Sequence, residues 1–466
     1  MNTPSRCGLA ALFSTLAFSL PAFAGPARPN ILIILADDLG WGEMSCQGNP
    51  QVPTPHIDSL ARHGVRFTSG YVSGTYCSPT RAALMTGRYQ QRYGHEFNPG
   101  NENLRPPNFG LSLKEKTIGD RLKAAGYVTG WFGKSHLGWN PEFHPLRRGF
   151  DEYFGFLGGQ HDYLDAASDA DNPILRGTDR VDKIGYTTED FAREAVTFME
   201  RHRAQPWLLY LAFNAVHTPL QATEKYLSRF TSIADKKRRT FAAMLSAMDD
   251  AVGTVSAKLH ELGLEENTLV FFLSDNGGPT AANTSVNGPL RGFKSQTWEG
   301  GIRVAWMLQW KGHVPGGQVD DRPVIQLDIL PTALAAAGVA VQPDWKLDGV
   351  NLLPYLTGQN QGLPHMALYW RLGQQMAIRM GDWKLVKSVG SVGVEGAESH
   401  ARANTDNAEL YNLTKDIGEK ENLASREPAK AKELADTWNK WSAEMAEPSW
   451  YANRGEGNPA AQKKRP

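Results

Sequence analysis

Asn30-Ile31-Leu32-Ile33-Ile34-Leu35-Ala36 is the stretch on which the fold turns. After Asn30 no polar residue interrupts it. A half-buried strand would alternate apolar with polar residues, and a surface helix would carry an apolar stripe every three to four residues. An unbroken apolar run of this length reads as a strand buried on both faces, the grammar of a parallel sheet covered by helices. The run ends in Asp37-Asp38-Leu39-Gly40. Adjacent carboxylates repel each other unless a cation or a helix dipole balances them. Open α/β sheets bind ligands at the carboxyl edge of their strands. The other reading of Asp37-Asp38 is an exposed turn.

Working outward, three more apolar runs end in the same way. Residues 127–132 deliver Gly133-Lys134-Ser135-His136-Leu137-Gly138, and residues 207–213 deliver Asn214-Ala215-Val216-His217. Residues 268–273 deliver Ser274-Asp275-Asn276-Gly277-Gly278. If 133–138 is extended, Lys134 and His136 point to one side. Helical patterns over 55–63, 117–125, 188–201 and 241–262 separate the strands, each but the third followed by glycine. Residues 94–112 read as a Gly-, Asn- and Pro-rich surface loop, and 158–186 as a polar Gly- and Asp-rich stretch. Residues 298–304 enter a further strand, and a helix begins at 326. Near residue 360 the texture changes to short strands over 366–371, 375–379, 383–387 and 409–413, an antiparallel pattern closed by a helix over 428–445. The expected fold is α/β: a large mixed, mostly parallel sheet sandwiched by helices, with a smaller C-terminal α+β subdomain carrying a short antiparallel sheet. The expected divisions are a leader over 1–24, a main domain over 25–360, the subdomain over 361–447 and a polar tail over 448–466.

Cys77-Ser78-Pro79-Thr80-Arg81, continuing Ala82-Ala83-Leu84-Met85-Thr86-Gly87-Arg88, reads as a helix start. Pro79 suits the first turn, the following residues favour helix, and Gly87 is a stop. Cys77 then sits at the positive helix end, and Arg81 returns to its face four residues on. Such an end suits an oxyanion such as sulfate or phosphate. The plainer reading is a buried structural cysteine.

The leader has a positive Arg6, an apolar run over 8–20 too short to span a bilayer, and Ala22-Phe23-Ala24, a small-x-small cleavage pattern. An exported, periplasmic or extracellular protein starting at Gly25 is expected, without a stable membrane anchor. Lys+Arg and Asp+Glu are both 49, so no net charge speaks for nucleic acid or an anionic membrane. Cys7 leaves with the leader, and Cys46 and Cys77 remain.

Asp37, Asp38, Asp275 and Asn276 form an all-oxygen donor set, which suits Ca2+, or Mg2+ as second choice, over zinc. Three carboxylates outweigh a divalent charge, so cations are required nearby, and Arg81 and Lys134 are at hand. An anionic substrate group would bridge metal and cations.

Taken together, these motifs resemble the type I, formylglycine-dependent sulfatases of the alkaline phosphatase-like superfamily, on the arylsulfatase and N-acetylgalactosamine-6-sulfatase side. The resemblance rests on Cys77 to Arg88, on Gly133 to Gly138, and on Lys294 followed by Glu299-Gly300-Gly301-Ile302-Arg303-Val304. The family commonly has tryptophan where this chain has Ser135, so an aromatic wall beside the site is missing. The resemblance implies that Cys77 is oxidised by a formylglycine-generating or sulfatase-maturing enzyme. It also implies that the hydrated aldehyde attacks sulfur and then expels sulfate. Cys77 would join the metal donors, Asp275 would help to activate the nucleophile, His217 would protonate the leaving oxygen and His136 would take the proton that expels sulfate. Lys134 and Arg81 would hold the hydrated aldehyde, and Lys294 the sulfate.

The expected substrate is a sulfated carbohydrate, from whose terminal galactose or N-acetylgalactosamine an exo-acting sulfatase removes sulfate. The chain has 13 Trp and 14 Tyr, whose faces suit sugar stacking. Gly158-Gly159-Gln160-His161-Asp162-Tyr163 places His161, and less so Asp162, to hydrogen-bond sugar hydroxyls alongside Lys134, His217 and Lys294. The alternatives are an aryl sulfatase of broad specificity, a phosphoester or phosphonate hydrolase on the same scaffold, and a catalytically dead sulfated-glycan-binding protein.

Overall fold

The computed structural model describes Met1 and residues 28–99, 109–388 and 402–450. The expected leader beyond Met1 and the tail from residue 451 lie outside the described residues. In chain order the strands are β1 (Asn30–Ala36), β2 (Val65–Phe67), β3 (Gly70–Tyr71), β4 (Val128–Lys134), β5 (Glu152–Phe156), β6 (Leu175–Arg176), β7 (Asp179–Arg180) and β8 (Trp207–Ala212). They continue as β9 (Thr268–Ser274), β10 (Trp306–Gln309), β11 (Gln318–Asp320), β12 (Val324–Ile325), β13 (Leu368–Leu372), β14 (Gln375–Met380), β15 (Trp383–Lys387) and β16 (Glu409–Asn412).

Ten of them form one sheet in the order β11-β2-β10-β9-β1-β8-β4-β5-β6-β7. β1 lies parallel to β8 on one side and to β9 on the other, with Ile33 opposite both Tyr210 and Phe271. β4 is parallel to β8 and β5, whereas β10 and the β6–β7 hairpin run antiparallel, so the sheet is mixed and mostly parallel. All seven residues of β1 are buried. Leu32 and Ile34 pack on one face, in a cluster containing Phe191, Ala195 and Phe198 of the Thr187–Arg201 helix and Phe241, Met244 and Leu245 of the Lys236–Glu261 helix. Ile31, Ile33 and Leu35 pack on the other, with Ala82, Leu84, Ile118, Leu330 and Leu334. Both faces are covered, which is why the strand does not alternate; each such side chain contributes about 1.5–3 kcal/mol by burial.

β13 to β16 pair consecutively and antiparallel in a four-stranded sheet. Leu434, Trp438 and Trp441 of the Pro428–Ala443 helix cover it. Among the described residues no helix is long and apolar enough to cross a membrane.

Several local expectations fail. The helix placed over 241–262 begins at Lys236, where Asp235 caps it by accepting from the Arg238 amide. The strand expected from 298 is a helical turn, Glu299–Ile302, and β10 starts only at Trp306. In the supposed surface loop 94–112, His95, Glu96 and Phe97 are buried, and the Glu96 carboxylate takes Arg371 Nε at 2.7 Å. The polar stretch 158–186 hides the β6–β7 hairpin.

Candidate active site

The parallel register brings the carboxyl ends of β1, β8, β9 and β4 to one edge, where Leu35 faces both Ala212 and Leu273, and Gly133 faces Ala212. Backbone pairing then continues past the strands. The Asp37 amide donates to Ala215 O at 2.9 Å, and the Val216 amide donates to Asp37 O at 2.7 Å, which carries His217 towards the aspartates. Asp38 has φ +61°, an uncommon conformation for a residue with a Cβ that Asp tolerates better than most. Its amide donates to Asp275 Oδ1 at 3.2 Å, locking the ends of β1 and β9 together.

Cys77 is the first residue of the Cys77–Thr86 helix, all ten residues of which are buried, and Gly87 ends it at φ +65°. Its Sγ lies 3.5 Å from Asp37 Oδ1 and 3.3 Å from Lys294 Nζ. Arg81, one turn on, donates to Asp275 and to Lys134 O, the latter at 3.2 Å. Lys134 Nζ is 2.6 Å from Asp37 Oδ2, and Lys294 Nζ is 2.6 Å from Asp38 Oδ1. Gly133, just before Lys134, has φ +114°, and a Cβ there would sit 1.8 Å from Ala212 O, so only glycine lets β4 approach β8 this closely.

The stretch after Lys134 is not extended. His136 has φ +57°, so the strand alternation expected to align it with Lys134 stops short. The turn is held from two sides: the His136 amide donates to Leu157 O at 3.0 Å, and Ser78 Oγ donates to His136 O at 2.6 Å. Ser78 Oγ has given its proton to that carbonyl, so it accepts from His95 Nε2 at 2.6 Å. His95 lay in a supposed surface loop; the only sequence hint to its burial is the neighbouring Phe97. The His136 ring lies under Gly159, whose Cβ, if present, would be 2.7 Å from His136 Cε1.

Three carboxylates thus meet three buried cations. Burial raises the pKa of Asp37, but Lys134, His217 and Arg81 outweigh it and hold the carboxyl below its ordinary value; Lys294 and His217 do the same for Asp38. Burial pushes the Cys77 thiol well above its ordinary value, and Asp275 and Asp37 add to the shift. Burial likewise lowers His136, with help from Lys134, Arg81 and Lys294. His217 is lowered by burial in spite of Asp38 and Asp37. Its Nδ1 donates to Thr218 O at 2.6 Å, which leaves Nε2 facing Asp38 Oδ2 at 3.6 Å.

This donor set fits a hard divalent cation. Asn276 Nδ2 donates to Asp38 Oδ1 at 2.7 Å, while Asn276 Oδ1 is buried without a partner, an acceptor in want of a positive group. Ligand atoms of Asp37, Asp38, Cys77 and His217 all lie within 4.8 Å of one another, so a histidine stands closer to the oxygen donors than the sequence suggested.

His161 makes no hydrogen bond to this cluster. It is buried, its Nδ1 donates to Asp162 O at 2.8 Å, and its Nε2 has no partner. Asp162 is committed to the loop itself, accepting from the Leu164 and Asp165 amides at 2.8 Å each. A second residue that the sequence did not reveal is Gln375 on β14, whose Nε2 donates to the carbonyl of Ser295, next to Lys294, at 2.8 Å.

Comparison with known proteins places the chain among relatives. The family model described as Sulfatase matches residues 29–339. The N-acetylgalactosamine-6-sulfatase of Mus musculus is 35% identical over 390 residues, covering 79% of this chain and 74% of that protein. Arylsulfatase G of Rattus norvegicus is 30% identical over 471 residues, covering 90% and 86%. The crystal structure of Ps i-CgsB in complex with k-i-k-neocarrahexaose superposes with a TM-score of 0.84 at 35% identity, covering 91% of this chain and 95% of that one.

Proposed function

Because the chain belongs to the sulfatase family, and is therefore a sulfuric ester hydrolase, we propose that it removes sulfate from the terminal sugar of a sulfated carbohydrate. The substrate class is galactose or N-acetylgalactosamine sulfate. The relatives named for N-acetylgalactosamine-6-sulfatase activity, and the similar structure that holds a neocarrahexaose, support that choice. The exported location rests on the leader sequence.

The observation that carries the reading is the setting of Cys77: the first residue of a buried helix, between Asp37 and Lys294. Its raised thiol pKa keeps it protonated near neutral pH, so as plain cysteine it is a poor nucleophile. Conversion to formylglycine by a maturing enzyme answers this. The hydrated aldehyde supplies one hydroxyl for attack on sulfur and a second for release of sulfate, where an ordinary alcohol would stay esterified. Asp37, Asp38, Asp275 and Asn276 would hold one divalent cation, Ca2+ before Mg2+, with position 77 beside them; it would offset sulfate charge and polarise the attacking oxygen.

The chain's own residues do the rest. Lys134 and Lys294 place ammonium groups on either side of the aspartates, where a sulfate monoanion needs them. Arg81 holds Asp275 in place and, with Lys134, borders position 77. His136 is kept neutral by burial among cations and so is free to accept, and in this reading it takes the proton that expels sulfate. His217 offers Nε2 at the rim of the aspartate pair, where a leaving oxygen needs a proton. His161 presents an unpartnered Nε2 beside the loop that crosses His136, suited to a sugar hydroxyl.

The test is turnover by the matured protein of sulfated galactose and N-acetylgalactosamine, an aryl sulfate and an aryl phosphate. Sulfate release from a sulfated sugar, exceeding phosphate release by orders of magnitude, is the expected result. Preferred turnover of the aryl phosphate, or of none of the four, would overturn the reading.

A further inference from the structure

The segment that carries Lys294 is held from outside the large sheet. Lys294 lies in a loop, and its ammonium ends a flexible four-carbon stem. Its contacts with Asp38 and Cys77, at 2.6 and 3.3 Å, therefore depend on where the backbone at 294 and 295 is fixed. That backbone is bent: Ser295 has φ +73°, a conformation that persists in a non-glycine residue only where the surroundings enforce it. Some supports are local: the Ser295 amide donates to Thr75 O at 2.9 Å, two residues before Cys77, the Gln296 amide donates to Phe293 O at 3.1 Å, and the Phe293 amide donates to Gln296 Oε1 at 3.2 Å.

More come from the small C-terminal sheet and the residues that flank its strands. Gln375, the first residue of β14 and 1% exposed, donates from Nε2 to Ser295 O at 2.8 Å. Its Oε1 accepts from Ser388 Oγ at 2.7 Å and from the Thr297 amide at 3.4 Å. Thr297 Oγ1 donates to Lys387 O of β15 at 3.2 Å. Two residues on, the buried Glu299 carboxylate takes Lys384 Nζ of β15 at 2.9 Å, and its amide donates to Glu419 Oε2 at 2.8 Å. The loop is thus gripped over 295–299 by Gln375, Lys384 and Lys387 of the C-terminal sheet and by Glu419 beyond it.

We propose that Gln375 is a positioning residue for Lys294, through which the C-terminal sheet sets the sulfate-binding ammonium of the active site. This rests on the sulfate-binding role given to Lys294 above. The amide is suited to the task because it donates to one backbone group and accepts from another across the bend. A carboxylate of the same shape keeps the acceptor towards Ser388 and Thr297 but sets an oxygen against Ser295 O, so Gln375→Glu turns the grip on that carbonyl into a repulsion and adds a buried charge.

The experiment is a double-mutant cycle on matured protein, with an aryl sulfate as substrate and inorganic sulfate as competing inhibitor. Gln375→Ala and Gln375→Glu are each made alone and in a Lys294→Ala background, with Gln375→Glu deciding if the alanine variant does not fold. We expect each single Gln375 variant to lose about tenfold or more in kcat/KM, in line with the cost of misplacing a positioned group, and to weaken inhibition by sulfate. In the Lys294→Ala background the same substitution should cost less than about twofold, because the group it positions is gone. An equal loss in both backgrounds would mean a general structural role and overturn the inference, as would no loss in either. Wild-type kinetics for Lys294→Ala would instead overturn the sulfate-binding role of Lys294, and the inference with it.

Discussion

Arg81 sets two nitrogens on one oxygen of Asp275, Nε at 3.0 Å and Nη2 at 2.8 Å, with both side chains wholly buried. A buried charge stripped of its partner is costly, on the order of 3–5 kcal/mol. Asp275→Ala should therefore lower stability by about that much as well as lose activity and metal. Chemical denaturation with and without Ca2+ measures it. A stable, metal-binding Asp275→Ala protein would contradict the arrangement.

Cys77→Ala should behave in the opposite way. It removes only the weak thiol contacts to Asp37 at 3.5 Å and Lys294 at 3.3 Å, groups that keep their stronger ion pairs with Lys134 and Asp38, so the melting curve should stay close to wild type while turnover disappears. Peptide mass analysis of natively produced protein should show formylglycine at position 77. Fully active protein with only cysteine there would end the idea.

Elemental analysis of the purified protein should find about one divalent ion per chain, calcium ahead of magnesium, as an all-oxygen set implies. Chelation should lower both the melting temperature and activity, and Asp37→Ala should mimic it. Stoichiometric zinc as the activating ion would contradict the donor chemistry.

His217 must carry a proton to act as an acid, and its pKa lies below the usual 6.5 because burial outweighs the two aspartates. Its protonated fraction falls as pH rises through that lowered value. Turnover of a sugar sulfate, whose leaving oxygen needs a proton, should therefore decline from mildly acidic towards neutral pH. His217→Ala should flatten that limb and lower kcat for the sugar by about 100-fold, yet spare an aryl sulfate with a good leaving group. A pH limb that survives in His217→Ala would assign it to another group.

His161→Ala should raise KM for the sulfated sugar and leave its pH profile unchanged, because the role assigned to His161 is contact with a hydroxyl and not proton transfer. A site that hydrogen-bonds a hydroxyl discriminates sharply against an epimer that misplaces it. Equal losses on sugar and aryl sulfates would remove His161 from the specificity site.

The core of the fold is legible because its signals are local. β1, β8 and β9 are each an apolar run, covered on both faces and ended by polar residues, so strand, layer and site edge could be read from one pattern. The C-terminal strands were equally plain, being short and separated by turns. What stayed hidden depends on contacts between distant parts. Strands of two residues such as β6 and β7 are too short to show a period. The bend at His136 comes from Ser78 and Leu157, neither of them its neighbour in the chain. Lys294 sits in a loop without periodicity and was reached by family resemblance alone. Gln375 carries no motif; its relation to Ser295 exists only once the two sheets have met.

The burial of the Cys77–Thr86 helix also imposes a timetable. Cys77 is 1% exposed, so its sulfur is closed off in the folded chain. β1 cannot be flanked on both sides until β9 has been synthesised and paired, so the pocket around Cys77 stays open until the ribosome has passed Ser274. The conversion proposed above for Cys77 would therefore act on a nascent or still-unfolded chain, and the speed of sheet closure would set how long that opportunity lasts. Variants that fold faster would emerge less completely converted, an activity defect with no trace in the folded structure.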